Sequence, residues 1–189
     1  MTIKPAETGD FDRVVEFYDN IIDDMQGLQY HPLWQKRIYP TLDFIRQSIE
    51  DRQLFIQLEN GDIIGCMVIN HYGNGYDTVK WAVNAQNDEV DIIHALGVKV
   101  AQQGHGYASE LVKKAIKMAR ANNRKAIRLD VLEPNLPAHE LYKKHGFKLR
   151  EVKELYYEDT GWTKFMLYEL VLDDSDRNIS LGKDYTYIW

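Results

Sequence analysis

Cysteine is nearly absent from this chain of 189 residues, where Cys66 stands alone. That excludes an internal disulfide framework and a cysteine metal cluster. Long hydrophobic runs are missing too. Residues 1–20 contain no apolar core of the signal-peptide kind, and no later stretch is long enough to span a bilayer. A soluble, cytoplasmic protein without a membrane partner is expected. Positive charge is scarce: 23 lysines and arginines stand against 29 aspartates and glutamates, a formal net charge of -6. General nucleic-acid binding is therefore not expected. There is no internal repeat and no long low-complexity segment. The six histidines are dispersed, with no His-Glu-x-x-His helix and no cysteine pair beside them, so no metal site is expected.

What the chain does contain is one organised stretch, from Val98 to Phe147. The β-rich run 91–98 leads into Gln103-Gly104-His105-Gly106-Tyr107-Ala108, and a helical pattern follows with Leu111, Val112, Ala115, Ile116 and Ala119 on one face. A strand, a glycine-rich turn and a helix N-terminus together offer unpaired N–H groups and the positive end of a helix dipole. Read alone, the turn is either a phosphate site or simply a tight strand-to-helix connection. The dinucleotide fingerprint is not complete, because Ser109 occupies its third glycine position, although Asp130 follows at about the spacing of a ribose-binding acid. A nucleoside-triphosphate loop fails more simply, since no lysine with a following serine or threonine closes the glycine run. Residues 126–132 then read as a strand, and Pro137 opens a short helix through Lys144 that stops at Gly146.

Two motifs in this stretch resemble those of the GCN5-related N-acetyltransferases, acetyl-coenzyme A-dependent enzymes known as GNAT proteins. Gln103, Gly106 and Ala108 fit the first signature. Asn135, Ala138, Leu141-Tyr142, Lys144 and Gly146-Phe147 fit the second, in order. The resemblance implies an α/β fold, a mixed central sheet of about seven strands flanked by helices, the acyl-CoA N-acyltransferase fold. It implies acetyl-CoA as cofactor, its diphosphate on the backbone of Gln103, Gly104, His105, Gly106, Tyr107 and Ala108. The pantetheine arm would follow Leu96, Gly97 and Val98 in a wedge between two strands, with Asn135 touching it. Tyr142, placed in the start region of its helix, would meet the thioester sulfur as the catalytic acid. Lys143, Lys144 and Arg124 are candidate partners for the cofactor phosphates.

The catalytic base is less directly implied. Regular alternation along the central strand would put Ile92, His94, Leu96 and Val98 on one face. Many family members carry a glutamate where this chain has Ile92. At His94 it instead resembles the arylalkylamine acetyltransferase branch, which has a catalytic histidine there. His94 is the candidate base, with Glu89 and Asp91 behind it; a hydrogen-bonded core histidine is the other reading. Cys66 reads as a small buried hydrophobe.

The remaining elements follow from pattern. Residues 3–6 form a short strand, and Thr8 caps a first helix. An irregular segment, 26–40, precedes a second helix capped by Thr41. In the family this helical pair and its linker roof the acceptor site, so Trp34 and Tyr39, with Tyr30 and His31, are candidate acceptor-binding residues; aromatics packing the linker are the alternative. Strands are expected at 53–58, 62–70 and 77–83, the first two joined by an Asn60-Gly61 turn, and a terminal hairpin at 149–157 and 163–172. The acetyltransferase domain would span 1–172, and 173–189 would be a tail packed on the domain, on a second copy in a homodimer, or over the cleft. The implied function is acetyl transfer to a small primary amine or a peptide amino terminus by direct attack; the alternative is a non-catalytic module that binds or senses acyl-CoA.

Overall fold

The computed structural model describes residues 1–172. The sheet contains β1 (Thr2–Pro5), β2 (Leu54–Glu59), β3 (Asp62–Asn70), β4 (Val90–Val98), β5 (Ala126–Leu132), β6 (Lys148–Tyr157) and β7 (Gly161–Val171), in the spatial order β1-β2-β3-β4-β5-β7-β6. Helices α1 (Phe11–Met25) and α2 (Leu42–Glu50) follow β1, α3 (Tyr107–Ala121) joins β4 to β5, and α4 (Leu136–Lys144) joins β5 to β6. The sheet is mixed: β4 and β5 pair in parallel, and the other neighbours pair antiparallel. This is the seven-stranded, helix-flanked architecture expected from the motifs. The expected tail, 173–189, lies outside the described residues.

Local chemistry accounts for several boundaries. Thr41 Oγ1 accepts the Phe44 N–H at 3.0 Å and caps α2. Asn60 and Gly61 both adopt positive φ, 52° and 88°, as a two-residue hairpin turn between β2 and β3 requires. At the first helix the expected Thr8 cap is replaced. Glu7 and Asp10 form a capping box around a 3-10 turn at Thr8–Asp10, and α1 continues from it.

Each face of the sheet carries its own core. Leu111, Val112, Ala115 and Ala119 of α3 pack with Ile93, Val98, Ile127 and Leu129 on one side. Val14, Phe17, Tyr18 and Ile21 of α1 pack with Ile45, Ile56, Val68 and Ala95 on the other. Cys66 is fully buried in this second core, and burial pushes its thiol well above its ordinary range, in keeping with an inert hydrophobe.

Two expectations about strands are corrected. Residues 77–83 are not a strand; a 3-10 turn at Tyr76–Thr78 leads into irregular chain. β3 and β4, which flank this segment in the chain, pair directly with each other, so it forms no ladder strand between them. Trp81 instead folds back, giving its Nε1–H to the Tyr76 carbonyl at 2.9 Å and lying under the Arg128 guanidinium.

The second correction concerns β4. Its alternation is broken at Ala95, which has φ 48°. Opposite β3 the register jumps from Val68↔His94 to Cys66↔Gly97, so two residues of β4 face the single residue Met67. This is a β-bulge. Leu96 and Val98 consequently share the α3 face with Ile93, whereas Ala95 packs with α1 and α2. Gly97 also faces α1: a Cβ there would lie 2.7 Å from Ile21 Cδ1. Thus Ile92, His94, Leu96 and Val98 do not share one face. The bulge is held by the Tyr18 hydroxyl, which donates to the Ala95 carbonyl at 2.8 Å.

Candidate active site

The bulge coincides with a split in the sheet. β4 and β5 pair only from Val90↔Ala126 to Ile92↔Arg128 and then part, β4 staying with β3 and β5 with β7. Backbone groups of β4 beyond Ile92 are left without a strand partner on that side, and such groups need hydrogen-bond partners from elsewhere. The split opens into a cavity of about 770 Å³.

One end of the cavity is the glycine turn. Gly104 and Gly106 have φ 80° and 88°, and a Cβ at either would meet no atom within 4 Å. Gly106 is the N-cap of α3 and no side chain caps that end, so the first-turn N–H groups face open space. Two contacts fix this helix end. The Tyr107 hydroxyl donates to the Glu59 carboxylate at 2.8 and 2.9 Å, and Ser109 Oγ lies 2.6 Å from His145 Nε2. Such a cradle fits an elongated anionic ligand: amides and a helix dipole for phosphate, and an open strand edge for an amide-rich chain.

Leu96, Gly97, Val98, Gln103, Gly104, Gly106, Tyr107, Ala108, Asn135 and Tyr142 all line this cavity, and so do Trp34, Tyr39, Tyr30, His31 and His94. His105 does not. Its ring is exposed, with Nδ1 3.0 Å from the Gln103 carbonyl oxygen. Among the candidate phosphate partners only Lys144 reaches the lining. Arg124 is held by Asp91 at 2.9 Å and Lys143 by Glu140 at 3.1 Å. Asp91 and Glu89 are likewise committed, to Arg124 and to Lys125 at 2.6 Å, and neither lines the cavity.

The other end of the cavity is aromatic. Rings step edge-to-face from Tyr18 to Trp34 and from Trp34 to Tyr39, both at 5.9 Å between centroids. Tyr39 lies 5.8 Å from Phe44, and Phe44 lies 6.5 Å from His94. Trp34 and Tyr39 therefore both pack the linker and face the cavity. The linker is fastened across the opening by Gln35, whose Nε2 donates to the Asp159 carbonyl at 2.6 Å.

His94 Nε2 lies 2.9 Å from Asn70 Oδ1, which also accepts the Tyr72 N–H at 3.1 Å. A backbone N–H can only donate, so the Asn70 oxygen must point toward both groups. The proton of the neutral imidazole then sits on Nε2, and Nδ1 keeps its lone pair. Burial lowers the His94 pKa, opposed by the Asp130 charge and by a hydrogen bond to the Tyr72 backbone. The ring is thereby held neutral and able to accept a proton at neutral pH.

Tyr142 is only 7% exposed, and its hydroxyl is not hydrogen-bonded to any described residue. Its ring packs edge-to-face on Phe147 at 5.5 Å. It lies in the last turn of α4 rather than the start region, so the helix dipole presents its negative end there and does not acidify the phenol. Burial and then the Asp130 charge raise its pKa, which leaves the hydroxyl protonated as a hydrogen-bond donor.

Several lining residues carried no motif. Asp130 accepts the Tyr157 hydroxyl at 2.8 Å and the Tyr76 hydroxyl at 3.1 Å, both on Oδ2. In the sequence Asp130 stands out only as a mimic of a ribose-binding acid. Asn70 and Tyr157 end expected strands and Asp159 lies in the hairpin turn, and nothing else in the sequence marks them.

The model of the acetyltransferase (GNAT) family matches residues 17–147, which include both motifs, the bulge and the split strands. The chain belongs to the GNAT acetyltransferase family. Solved structures agree on the fold of this GNAT protein. An acetyltransferase of the GNAT family from Streptococcus agalactiae superposes with a TM-score of 0.75 at 15% identity, covering 91% of this chain and 95% of that one. The yncA protein of Salmonella typhimurium, solved with its cofactor acetyl-CoA, gives a TM-score of 0.68 at 20% identity over 92% and 95% of the two chains. In sequence, an uncharacterized N-acetyltransferase of Methanocaldococcus jannaschii is 26% identical over 165 residues, 87% of this chain and 66% of that protein. The match thus spans just under two thirds of that relative's length. Among the described residues of this GNAT chain, no helix is long and apolar enough to cross a membrane.

Proposed function

We propose that this GNAT protein is an N-acetyltransferase that moves the acetyl group of acetyl-CoA to a small primary amine or amino-terminal acceptor by direct attack. The observation that carries this reading is the continuity of one cavity, with an uncapped glycine turn at one end and an aromatic chamber with a neutral histidine at the other. Bound acetyl-CoA would supply the activated acetyl thioester, whose C–S bond is exchanged for a C–N bond to the acceptor. The backbone from Gln103 to Ala108 would hold its diphosphate, Leu96, Gly97 and Val98 its pantetheine arm, and Asn135 a further contact on that arm. His94 Nδ1 would take the proton that the amine must lose. Tyr142 would donate a hydrogen bond to the departing sulfur. An alkyl thiol ionises at about 8.5 and a free phenol at about 10, so a phenol raised further serves better as a donor than as an equilibrium acid. No acyl-enzyme is needed, because Cys66 is buried away from the cavity.

Calorimetry with acetyl-CoA, combined with thiol detection over a panel of amines, tests the whole reading. Heat of binding and thiol release are both expected, with much weaker binding of NAD or ATP. Binding without thiol release over the panel would favour the acyl-CoA-sensing alternative, which the isoleucine at position 92 in place of the common glutamate keeps open. No heat with any coenzyme A ester from folded protein would overturn the proposal.

Two variants probe the two ends separately. Gly106→Val would push a branched side chain into the open space over the turn, and coenzyme A affinity should fall by at least about tenfold, or 1.4 kcal/mol. The strain of a β-branched residue at φ 88° also lowers stability, so a melting curve must accompany the titration. Trp34→Ala or Tyr39→Phe should raise the acceptor KM while leaving coenzyme A affinity near wild type. Equal losses in stability and in both affinities would mean that these rings only pack the linker.

A further inference from the structure

The acceptor end of the cavity is built around a carboxylate that no cation among the described residues neutralises. Asp130 projects into it from β5, and Asp159 joins it from the turn between β6 and β7. Neither takes part in an ion pair among the described residues. Among the described residues the cavity lining includes a single lysine, Lys144 in the last turn of α4, and no arginine. Desolvating a carboxylate without a counter-charge is costly, and an unpaired one inside a cavity is a ready cation site.

The geometry around Asp130 is specific. Tyr76 and Tyr157 both donate to Oδ2, at 3.1 and 2.8 Å, and Oδ1 has no partner among the described residues. The two hydroxyls orient the carboxylate without cancelling its charge. Aromatic rings at Trp34, Tyr39 and Tyr157 line the same chamber, and their faces attract a desolvated ammonium. The field of the unpaired charge is felt across the chamber. It adds to burial in raising the Tyr39, Tyr76, Tyr142 and Tyr157 hydroxyls, and it adds to burial in raising Asp159. A second cationic group brought in by the acceptor would be attracted by this field. A separate observation marks the cavity as a ligand site: the Tyr142 hydroxyl, on a side chain 7% exposed, also faces it without a partner among the described residues.

We propose that the acceptor is a dication of the aliphatic diamine or polyamine class. Its reacting amine goes to His94, and its second ammonium sits on Asp130 Oδ1 among the aromatic rings, with Asp159 as the outer carboxylate. This rests on the acetyl-transfer reading for the reacting amine, but the cation site itself does not.

The test has a binding arm and a turnover arm. In the first, 1,4-diaminobutane is titrated into the protein by calorimetry and compared with 1-aminobutane. Asp130→Asn is the informative variant, because an asparagine oxygen can still accept both tyrosine hydroxyls. The diamine is expected to bind at least about tenfold more tightly than the monoamine, and Asp130→Asn to abolish that preference. Asp159→Asn should reduce it by less. In the second arm, thiol release from acetyl-CoA is followed with both amines. The diamine-to-monoamine ratio of kcat/KM is expected to exceed about ten, chiefly through KM, and to collapse toward one in Asp130→Asn. Equal binding of the two amines by the wild type, or an unchanged preference in folded Asp130→Asn, would overturn the proposal. If the diamine preference depends on Asp130 but acetyl-CoA gives no heat, the cation site stands and the acetyl-transfer reading falls.

Discussion

Tyr142→Phe is expected to lower turnover by about ten- to a thousand-fold while acetyl-CoA affinity and melting temperature stay near wild type. The structure makes this a clean substitution. The phenol hydroxyl has no partner among the described residues, so its removal orphans nothing, and the ring keeps its edge-to-face contact with Phe147. Stability should therefore move by no more than about 0.5 kcal/mol, the range of substitutions that break no buried contact. If the hydroxyl hydrogen-bonds to sulfur only as the C–S bond opens, the loss appears in kcat and not in the binding of the intact thioester. Steady-state kinetics beside calorimetry separates the two. A folded Tyr142→Phe with wild-type kcat would remove Tyr142 from the chemistry and leave it as a core tyrosine of α4.

His94→Gln should cost a further large factor, about a hundred- to ten-thousand-fold in kcat/KM, the range of lost base catalysis. Its amide can still donate to Asn70 Oδ1, so the polar contact survives while the titrating lone pair is lost. The pH profile carries the sign. Burial lowers the His94 pKa below the ordinary imidazole value of about 6.5. A base must be unprotonated to act, so wild-type kcat/KM should hold as pH falls through about 6.5 and decline only below it. In His94→Gln that acidic limb should vanish or move. Asp130 opposes the effect of burial on His94, so Asp130→Asn should carry the limb to still lower pH. A folded His94→Gln with an unchanged profile and wild-type kcat/KM would mean that the amine reaches the site already neutral, or loses its proton through another group. Amine deprotonation and thiolate departure share one reaction path, so the losses in a double variant need not add.

The glycine turn, the two motifs and most elements were legible because each is encoded locally. Gly104 and Gly106 take the positive φ that their residue type permits, Asn60-Gly61 makes its hairpin, and Thr41 caps its helix, all within a few residues. The spurious strand at 77–83 had the right residues for a strand, but β3 and β4 on either side of it in the chain pair directly with each other, a fact that no window of sequence contains. The faces of β4 were misassigned for a similar reason. Period-two alternation holds only until a bulge, and Ala95 has no side chain that announces one.

By itself, then, the sequence determined the class of fold, the glycine turn and the choice of His94 and Tyr142 as candidates for the chemistry, since these follow from short local patterns and their resemblance to a family. Only the tertiary structure decided what surrounds them. The tautomer of His94 depends on Asn70, 24 positions earlier, and the cage around Asp130 draws on Tyr76 and Tyr157, 54 and 27 positions away. Such partners carry no mutual spacing in the chain. They meet because β4 and β5 part beside the bulge, and the segments that close over the gap come from three separate connections.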